Sequence, residues 1–448
     1  MLRDAKIWVS PGVVFWQTNK RYFFIDRASN KYGEIDRNTY ELLSLCNGVE
    51  FSKIPRGLAG QSSKGKKDVS TIAGSIKYLF HKEMITNIDL KKRLLKINKR
   101  RAKGIVVFCE LTRACNSKCV MCYNNSGNSF GSEMSLGDWK LVIEDISRLA
   151  NCTLVLTGGE PMMRRDIFSI IKYAKERGHS VEMISNGWFI SKNNADILAH
   201  LQVDHIRLSL NGGKETHDLI HGRKGSFSKV VKATHFLQEV GISTSWLVTL
   251  MRQNIKEIPT IFQLASSMGV SNIKFGFVVG IGRAAAHAND MILSPEEELL
   301  TRQTILQVGR EYEQTVNVDS GCEGERDNVS RGTRWSFLKN SMCGAGISCF
   351  HITSSGYVTI CPLLGPEDRQ LGHILKDGVR ILREAPLVKM FLETSLEEFD
   401  SCKTCGLRYL CLGGCRASAF FLTGSLTGCD RNYKDYVSLL LDHLVEFK

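Results

Sequence analysis

Three cysteines stand within eight residues, Cys115-x3-Cys119-x2-Cys122, in what reads as the loop following a strand, GIVVFCE. That spacing lets three thiolates wrap one face of a [4Fe-4S] cube and leaves one iron without a protein ligand. An iron left open in this way can bind a substrate or a cofactor. The competing reading is a zinc loop or a chance cluster; zinc would want a fourth ligand nearby, and none is evident.

The whole chain holds fifteen cysteines in 448 residues. No apolar run reaches the ~18 residues of a membrane span, and the opening MLRDAKIWVS lacks the apolar stretch of a signal peptide. The chain therefore reads as cytoplasmic, where disulfides rarely persist, and so many cysteines point to metal or redox chemistry. A composition of 43% hydrophobic and 23% charged residues excludes disorder, collagen and coiled coil as overall descriptions.

From Gly104 the sequence alternates strand and helix. Candidate strands are GIVVFCE, CTLVLTG, SVEMISN, DHIRLSL, ISTSWLVTL and NIKFGFVV, separated by amphipathic segments such as LGDWKLVIEDISRLA and KVVKATHFLQEV. Six such units predict an α/β fold with a parallel sheet and helices outside it. Chemistry in such sheets gathers at the C-terminal strand ends. Before this region, residues 5–26 read as strands. Asp36 can cap a helix bearing Tyr40, Leu42, Leu43 and Leu45 and closed by Asn47-Gly48, and a second helix is predicted from about Val69 to Lys82. From about Trp335 the chain is dense in cysteine and reads as short in regular structure, organised by metal rather than by a large apolar core.

The net charge of +13 is unevenly placed: residues 1–103 hold 22 Lys/Arg against 9 Asp/Glu, and the rest of the chain balances to zero. KKRLLKINKRRAK (91–103) reads as a basic linker. A solvated surface is the plain explanation; a docking module for an acidic partner is the functional one. No interleaved aromatic and basic pattern suggests nucleic acid.

These motifs together resemble the radical S-adenosylmethionine (SAM) superfamily. Gly158-Gly159-Glu160-Pro161 follows the second strand, where that superfamily has a GGE motif on the SAM amino group; Ser185-Asn186-Gly187 ends the third strand and Ser209-Leu210-Asn211-Gly212 the fourth. The resemblance implies a partial (β/α)6 barrel over roughly 104–317. The Cys115, Cys119 and Cys122 cluster would be catalytic, with Gly158, Gly159, Glu160, Ser185, Asn186 and Ser209 toward SAM. Two positions depart from the pattern. Met121 stands where an aromatic residue is usual, leaving its backbone to meet adenine. His217-Asp218-Leu219-Ile220-His221-Gly222-Arg223 stands where peptide-modifying members often have HDxxRG. Either His221 or Arg223 then takes the SAM carboxylate, and the guanidinium fork of Arg223 suits it better.

A second signature follows. Cys343-x12-Gly356-x4-Cys361, then Cys402-x2-Cys405-x5-Cys411-x3-Cys415 and Cys429, resembles the SPASM domain, with Cys349 as an extra cysteine of some members. Carrying over that family's crossed ligation, Cys343, Cys349, Cys361 and Cys415 hold one [4Fe-4S] cluster and Cys402, Cys405, Cys411 and Cys429 another. A pair of four-cysteine zinc sites is the alternative. Of the remaining cysteines, Cys109 and Cys152 read as small core residues, Cys46 lies on a helix face and Cys322 in a loop.

The N-terminal pattern of three strands followed by helices resembles the RiPP recognition element, a winged-helix-like module that takes leader peptides of ribosomally made, modified peptides onto a sheet edge. The domain reading is 1–90 for leader binding, 91–103 for the linker, 104–317 for the barrel and 335–448 for the SPASM domain. Together the resemblances imply a radical SAM oxidoreductase, with three [4Fe-4S] clusters and SAM, that modifies a precursor peptide. HGRKGSF (221–227) looks most like the thioether-forming maturases of sactipeptides. Such enzymes take a hydrogen from a peptide carbon through a 5′-deoxyadenosyl radical, bond a peptide cysteine sulfur to that carbon, and pass the surplus electron to the auxiliary clusters. The implied partners are a precursor with an acidic leader and a flavodoxin- or ferredoxin-type reductant. Carbon–carbon crosslinking or epimerisation is the alternative within the class, with Cys322 the candidate hydrogen donor. An iron–sulfur electron carrier or zinc adaptor is the alternative outside it, and leaves Gly158–Glu160 unexplained.

Overall fold

Residues that favour extended backbone, such as Val13, Phe15, Trp16, Tyr22 and Phe23, build the first strands of the computed structural model. These are β1 (Lys6–Val9), β2 (Val13–Thr18), β3 (Arg21–Asp26), β4 (Lys31–Ile35), β5 (Asn47–Glu50) and β6 (Ile85–Thr86). The structure describes residues 104–127, 131–149, 152–319, 343–365, 369–393, 396–405 and 407–446; before these it describes only 6–9, 13–18, 21–26, 31–35, 37, 40, 43, 47–50 and 85–86. The helix expected at Val69–Lys82, the linker 91–103, Cys46 and Cys322 lie outside the described residues.

The chain divides into two compact units: Met1–Arg101 with Ser395–Cys411 and Leu441–Lys448, and Ala102–Thr394 with Leu412–Leu440. In the first, β2, β3 and β4 form an antiparallel meander, and β1 pairs antiparallel with both β5 and β6. Tyr40, described as helical, packs its ring against Phe15 and Tyr22. Leu43, one helical turn on, is fully buried.

The second unit is built on one ten-stranded sheet. Its strands in chain order are β7 (Ile105–Thr112), β8 (Cys152–Gly158), β9 (Ser180–Ser185), β10 (His205–Ser209), β11 (Thr244–Leu250), β12 (Asn272–Phe277), β13 (Asn317–Asp319), β14 (Cys349–Ile352), β15 (Tyr357–Thr359) and β16 (Gly372–His373). In space the order is β13-β12-β11-β10-β9-β8-β7-β14-β15-β16. Strands β13 through β14 all pair in parallel, and the last two are antiparallel. All six strands expected from the sequence are present. The crossovers include α1 (Leu136–Ile146), α2 (Ile167–Glu176), α3 (Lys192–His200), α4 (Lys214–His221), α5 (Ser226–Glu239), α6 (Ile258–Ser267) and α7 (Pro295–Glu311).

Local chemistry starts and seats these helices. Ser135 and Asp138 form a reciprocal cap at the start of α1, which then buries Trp139, Val142, Ile143 and Ile146. In β10, Ile206 and Leu208 are fully buried in the apolar core while His205, Arg207 and Ser209 take the other face. On that face Arg207 pairs with Glu182 of β9, and His205 hydrogen-bonds Ser245 of β11. The inner face of the sheet is therefore polar at several positions, and the helix side is apolar. Cys109 and Cys152 are buried on neighbouring strands, as small core residues should be.

The cysteine-dense region departs from expectation. It holds three strands and the helices α8 (Pro386–Glu393), α9 (Arg416–Thr423) and α10 (Arg431–Glu446). Phe350, Ile352, Val358, Ile374 and Val388 from this region join the main apolar core, because β14 extends the barrel sheet beside β7. Apolar packing, not metal alone, organises it. Replacing Trp246, fully buried on β11 with its Nε1 donating to Thr234 of α5 at 3.1 Å, by Ala is expected to cost about 3–5 kcal/mol, read as a lower denaturant midpoint.

Candidate active site

The loop after β7 carries Cys115, Cys119 and Cys122 and has little regular structure of its own, so its backbone is satisfied by its neighbours. Cys115 N donates to Gly127 O at 2.8 Å and Gly127 N to Arg113 O at 3.1 Å, folding the loop back on itself. Lys118 N and Val120 N donate to His221 O and Ile220 O at the end of α4. Glu160 N donates to Ala114 O at 2.9 Å. Burial pushes the Cys115 thiol up to about 11 and the Cys119 thiol up to about 12. Neighbouring thiols add to the rise, and Arg283 opposes it. Metal binding must therefore displace protons from both. Among the described residues no three His, Cys, Asp or Glu side chains are arranged to hold a single metal ion. The ligands of a cube-shaped cluster stand further apart, because its irons and sulfides lie between them.

The Gly158–Glu160 turn packs closely on the cysteine loop. A Cβ at Gly159 would meet Ala114 O at 2.2 Å, so the glycine is what lets the turn lie against the cysteine loop. Glu160 is fully buried and its carboxylate is committed within the protein. Oε1 accepts from Ser185 Oγ at 2.8 Å and Met162 N at 3.1 Å, and Oε2 accepts from Asn186 N at 2.8 Å. These bonds fix the Glu160 carboxylate. It locks the ends of β8 and β9 together and aims Asn186 at the loop. Asn186 Nδ2 donates to Asn116 Oδ1 at 2.8 Å and lies 4.0 Å from Cys115 Sγ. Ser209 is half-buried at the end of β10. Met121 packs its side chain on a small apolar cluster with Ile220, Met251, Val278, Ala284 and Met291.

His221 and Arg223 separate cleanly. His217 and His221 are buried and stacked, with ring centroids 4.0 Å apart. Asn211 N donates to His217 Nδ1 at 3.2 Å, and Asn211 Nδ2 lies 3.0 Å from His221 Nε2. Burial pulls His217 down to about 4 and His221 well below the ordinary imidazole value. Both rings are neutral at pH 7, so His221 supplies no cation. Asp218 accepts from Gly225 N, Ser226 Oγ and Phe227 N at 2.6–2.8 Å, which folds the GRKGSF turn onto the start of α5. That turn delivers Arg223, whose guanidinium lies 3.8 Å from the Trp188 ring centroid and bonds Asn116 O. Its Nε is buried with no partner, as are Asn116 Nδ2 and Ser117 Oγ. A carboxylate-bearing ligand beside the loop would satisfy such donors.

Four of the C-terminal cysteines also gather. The Cys361 thiol is pushed well above its ordinary value by burial and by Cys349, Cys343 and Cys415 beside it. Two residues connect this group with the Cys115–Cys122 loop. Glu110, on β7 and 3% exposed, accepts from Asn124 Nδ2 at 2.8 Å on one oxygen; the other accepts from Ser354 Oγ at 2.9 Å. His351 Nε2 lies 3.6 Å from Glu110. Tyr123 hydrogen-bonds Thr157; burial raises its phenol, as do Glu110, Cys122 and Cys361 around it. Cys402, Cys405 and Cys411 belong to the first unit, where Cys405 N donates to Cys402 O at 3.1 Å. Sequence reading missed Glu110, Asn116, Trp188 and Arg283, because their roles come from contacts across strand ends.

Burial raises Glu160 to about 7. The folded chain then holds a proton that the unfolded chain has released, so stability falls as pH rises from the ordinary carboxylate range to about 7. For the metal-free protein the loss should be on the order of 3 kcal/mol. Glu160→Gln should flatten it, as read by denaturant unfolding at a series of pH values.

Residues 109–265 match the Radical SAM superfamily. The chain is 31% identical over 278 residues to the Fe-coproporphyrin III synthase of Methanosarcina barkeri, covering 58% of this chain and 69% of that one. It is 27% identical to the sporulation killing factor maturation protein SkfB of Bacillus subtilis, covering 60% and 62%. In structure it resembles Streptococcus suis SuiB bound to S-adenosylmethionine, with a TM-score of 0.59, 15% identity, and 94% and 98% of the two chains covered. With the cysteine loop seated at the C-terminal ends of a parallel sheet, the chain belongs to the radical SAM superfamily and is an enzyme of that class.

Proposed function

We propose that this enzyme modifies a ribosomally made precursor peptide and forms thioether crosslinks from cysteine sulfur to carbon. The observation that carries the reading is the pairing of two cysteine sites in one unit. Cys122 of the first group and Cys361 of the second both act on the buried Tyr123 phenol, and Cys361 is in turn raised by Cys343, Cys349 and Cys415. An open cluster beside a fully cysteine-ligated one suits an oxidation that releases an electron inside the protein. When bound, the cluster and SAM supply the radical that removes hydrogen. The chain's own residues hold the parts: Arg223 for the SAM carboxylate, with Asn186, Ser209 and the backbone of Gly158–Glu160 and Met121 around the rest of the molecule. Thioether chemistry is favoured by the likeness to a killing-factor maturation protein and by the HGRKGSF turn. Cys402, Cys405, Cys411 and Cys429 are proposed as a third cluster from their spacing. Residues 1–90 are proposed to dock an acidic leader, with 335–448 as the SPASM region; a flavodoxin- or ferredoxin-type protein would supply electrons.

A tetrapyrrole substrate is the second reading, favoured by the 31% identity to a coproporphyrin-handling relative. The basic excess of residues 1–103 argues for the peptide, because a docked leader raises the local concentration of its core segment.

Replacing Cys115, Cys119 and Cys122 together with Ala should abolish release of 5′-deoxyadenosine under reducing conditions and leave the other iron bound. Mass spectrometry of a co-expressed precursor separates the chemistries: a pair of hydrogens lost per crosslink means oxidation, and no change means epimerisation. An unaltered precursor, with turnover of iron coproporphyrin instead, would establish the second reading. Removing residues 1–90 should leave SAM cleavage largely intact and sharply reduce peptide modification, and leader binding should weaken as salt rises.

A further inference from the structure

Arg283 stands in the turn after β12, far from the cysteines in sequence, yet it lies against their loop. Its Nε donates to Cys119 O and its Nη1 to Ser126 O, both at 2.7 Å, and its backbone N–H donates to Cys122 O at 2.9 Å. The residue before it makes the contact possible. Gly282 has φ +61°, and a Cβ there would meet Tyr123 O at 2.3 Å and Cys122 O at 2.4 Å. Only glycine lets this turn seat so closely. Ala284 on the other side is buried in the apolar cluster on which Val120 and Met121 of the loop also pack. The turn is thus anchored by hydrogen bonds, by close backbone contact and by apolar burial.

We propose that Arg283 positions the loop that binds the radical cluster and, through its charge, makes that cluster easier to reduce. The inference rests on the reading that Cys115, Cys119 and Cys122 hold that cluster. The guanidinium fork spans two carbonyls on either side of Cys122, which a point-like ammonium cannot do equally well. Its hydrogen bonds go to backbone carbonyls and not to a carboxylate, so its charge is not cancelled by a hydrogen-bonded anion. Reduction adds an electron to a thiolate-bound cluster, and a fixed positive charge in a half-buried site favours the more negative state.

The test compares anaerobically reconstituted full-length enzyme with its Arg283→Gln and Arg283→Lys variants. Iron and sulfide content are measured first. The midpoint potential is then taken from the part of the reduced electron paramagnetic resonance spectrum that changes on adding SAM. Arg283→Gln should lower the midpoint by about 59 mV, a tenfold change in a one-electron equilibrium. Arg283→Lys should stay near the parent value but lose iron faster to a chelator, since it keeps the charge and not the fork. A fully loaded Arg283→Gln protein with the parent midpoint would overturn the proposal. If Arg283→Gln does not load, Arg283→Lys decides: a parent-like midpoint supports the charge role, and a drop of the same 59 mV despite the retained charge overturns it. A parent enzyme with no SAM-responsive cluster would instead overturn the assignment of the three cysteines, and the inference with it.

Discussion

The structure depends on satisfying the backbone of a loop that has no core of its own. Residues 113–127 must bring three thiols toward one centre, which rules out helix or strand for most of their length. Buried peptide groups still need partners. They find them at the ends of other elements: Ile220 and His221 at the end of α4, Glu160 after β8, Gly282 and Arg283 after β12. Each of those turns is itself fixed by a strand or helix of the barrel. The loop's shape is set by the sheet around it, and this explains why the chemistry lies at the C-terminal strand ends.

The same demand accounts for the buried acids. Glu160 and Asp218 lie in motifs that invite a ligand reading, and both spend their oxygens on backbone and hydroxyl donors. A buried carboxylate with several donors orients what is attached to those donors. Glu160 orients Asn186 and Ser185; Asp218 folds the turn that presents Arg223. Glu110 does comparable work between Asn124 of the radical loop and Ser354 of the β14–β15 turn. The acids thereby fix the turns that carry Arg223 and Asn186 beside Asn116 of the cysteine loop.

β14 adds to the edge of the barrel parallel to β7, with Cys349 opposite Val106 near the start of β7 and the cysteine loop following the far end of that strand. One strand then carries the radical loop at its end, and its neighbour starts at Cys349. A thiol from each group, Cys122 and Cys361, acts on the buried phenol of Tyr123.

The sequence by itself determined the parallel α/β unit, because six apolar strands alternate with amphipathic helices and each pattern has one stable partner arrangement. It also marked the cysteines, since metal ligation leaves its spacing in the chain. Guanidinium chemistry favours Arg223 over His221 in the sequence, and the burial and stacking of His217 and His221 became visible only in the fold. Tertiary structure alone decided the contacts of Glu110, Trp188 and Arg283. Their partners lie tens to hundreds of residues away, and no local periodicity records such a contact. It also decided that the C-terminal region shares the barrel's core: apolar residues such as Phe350 and Ile352 are too few in sequence to suggest it, and become core only when β14 pairs with β7.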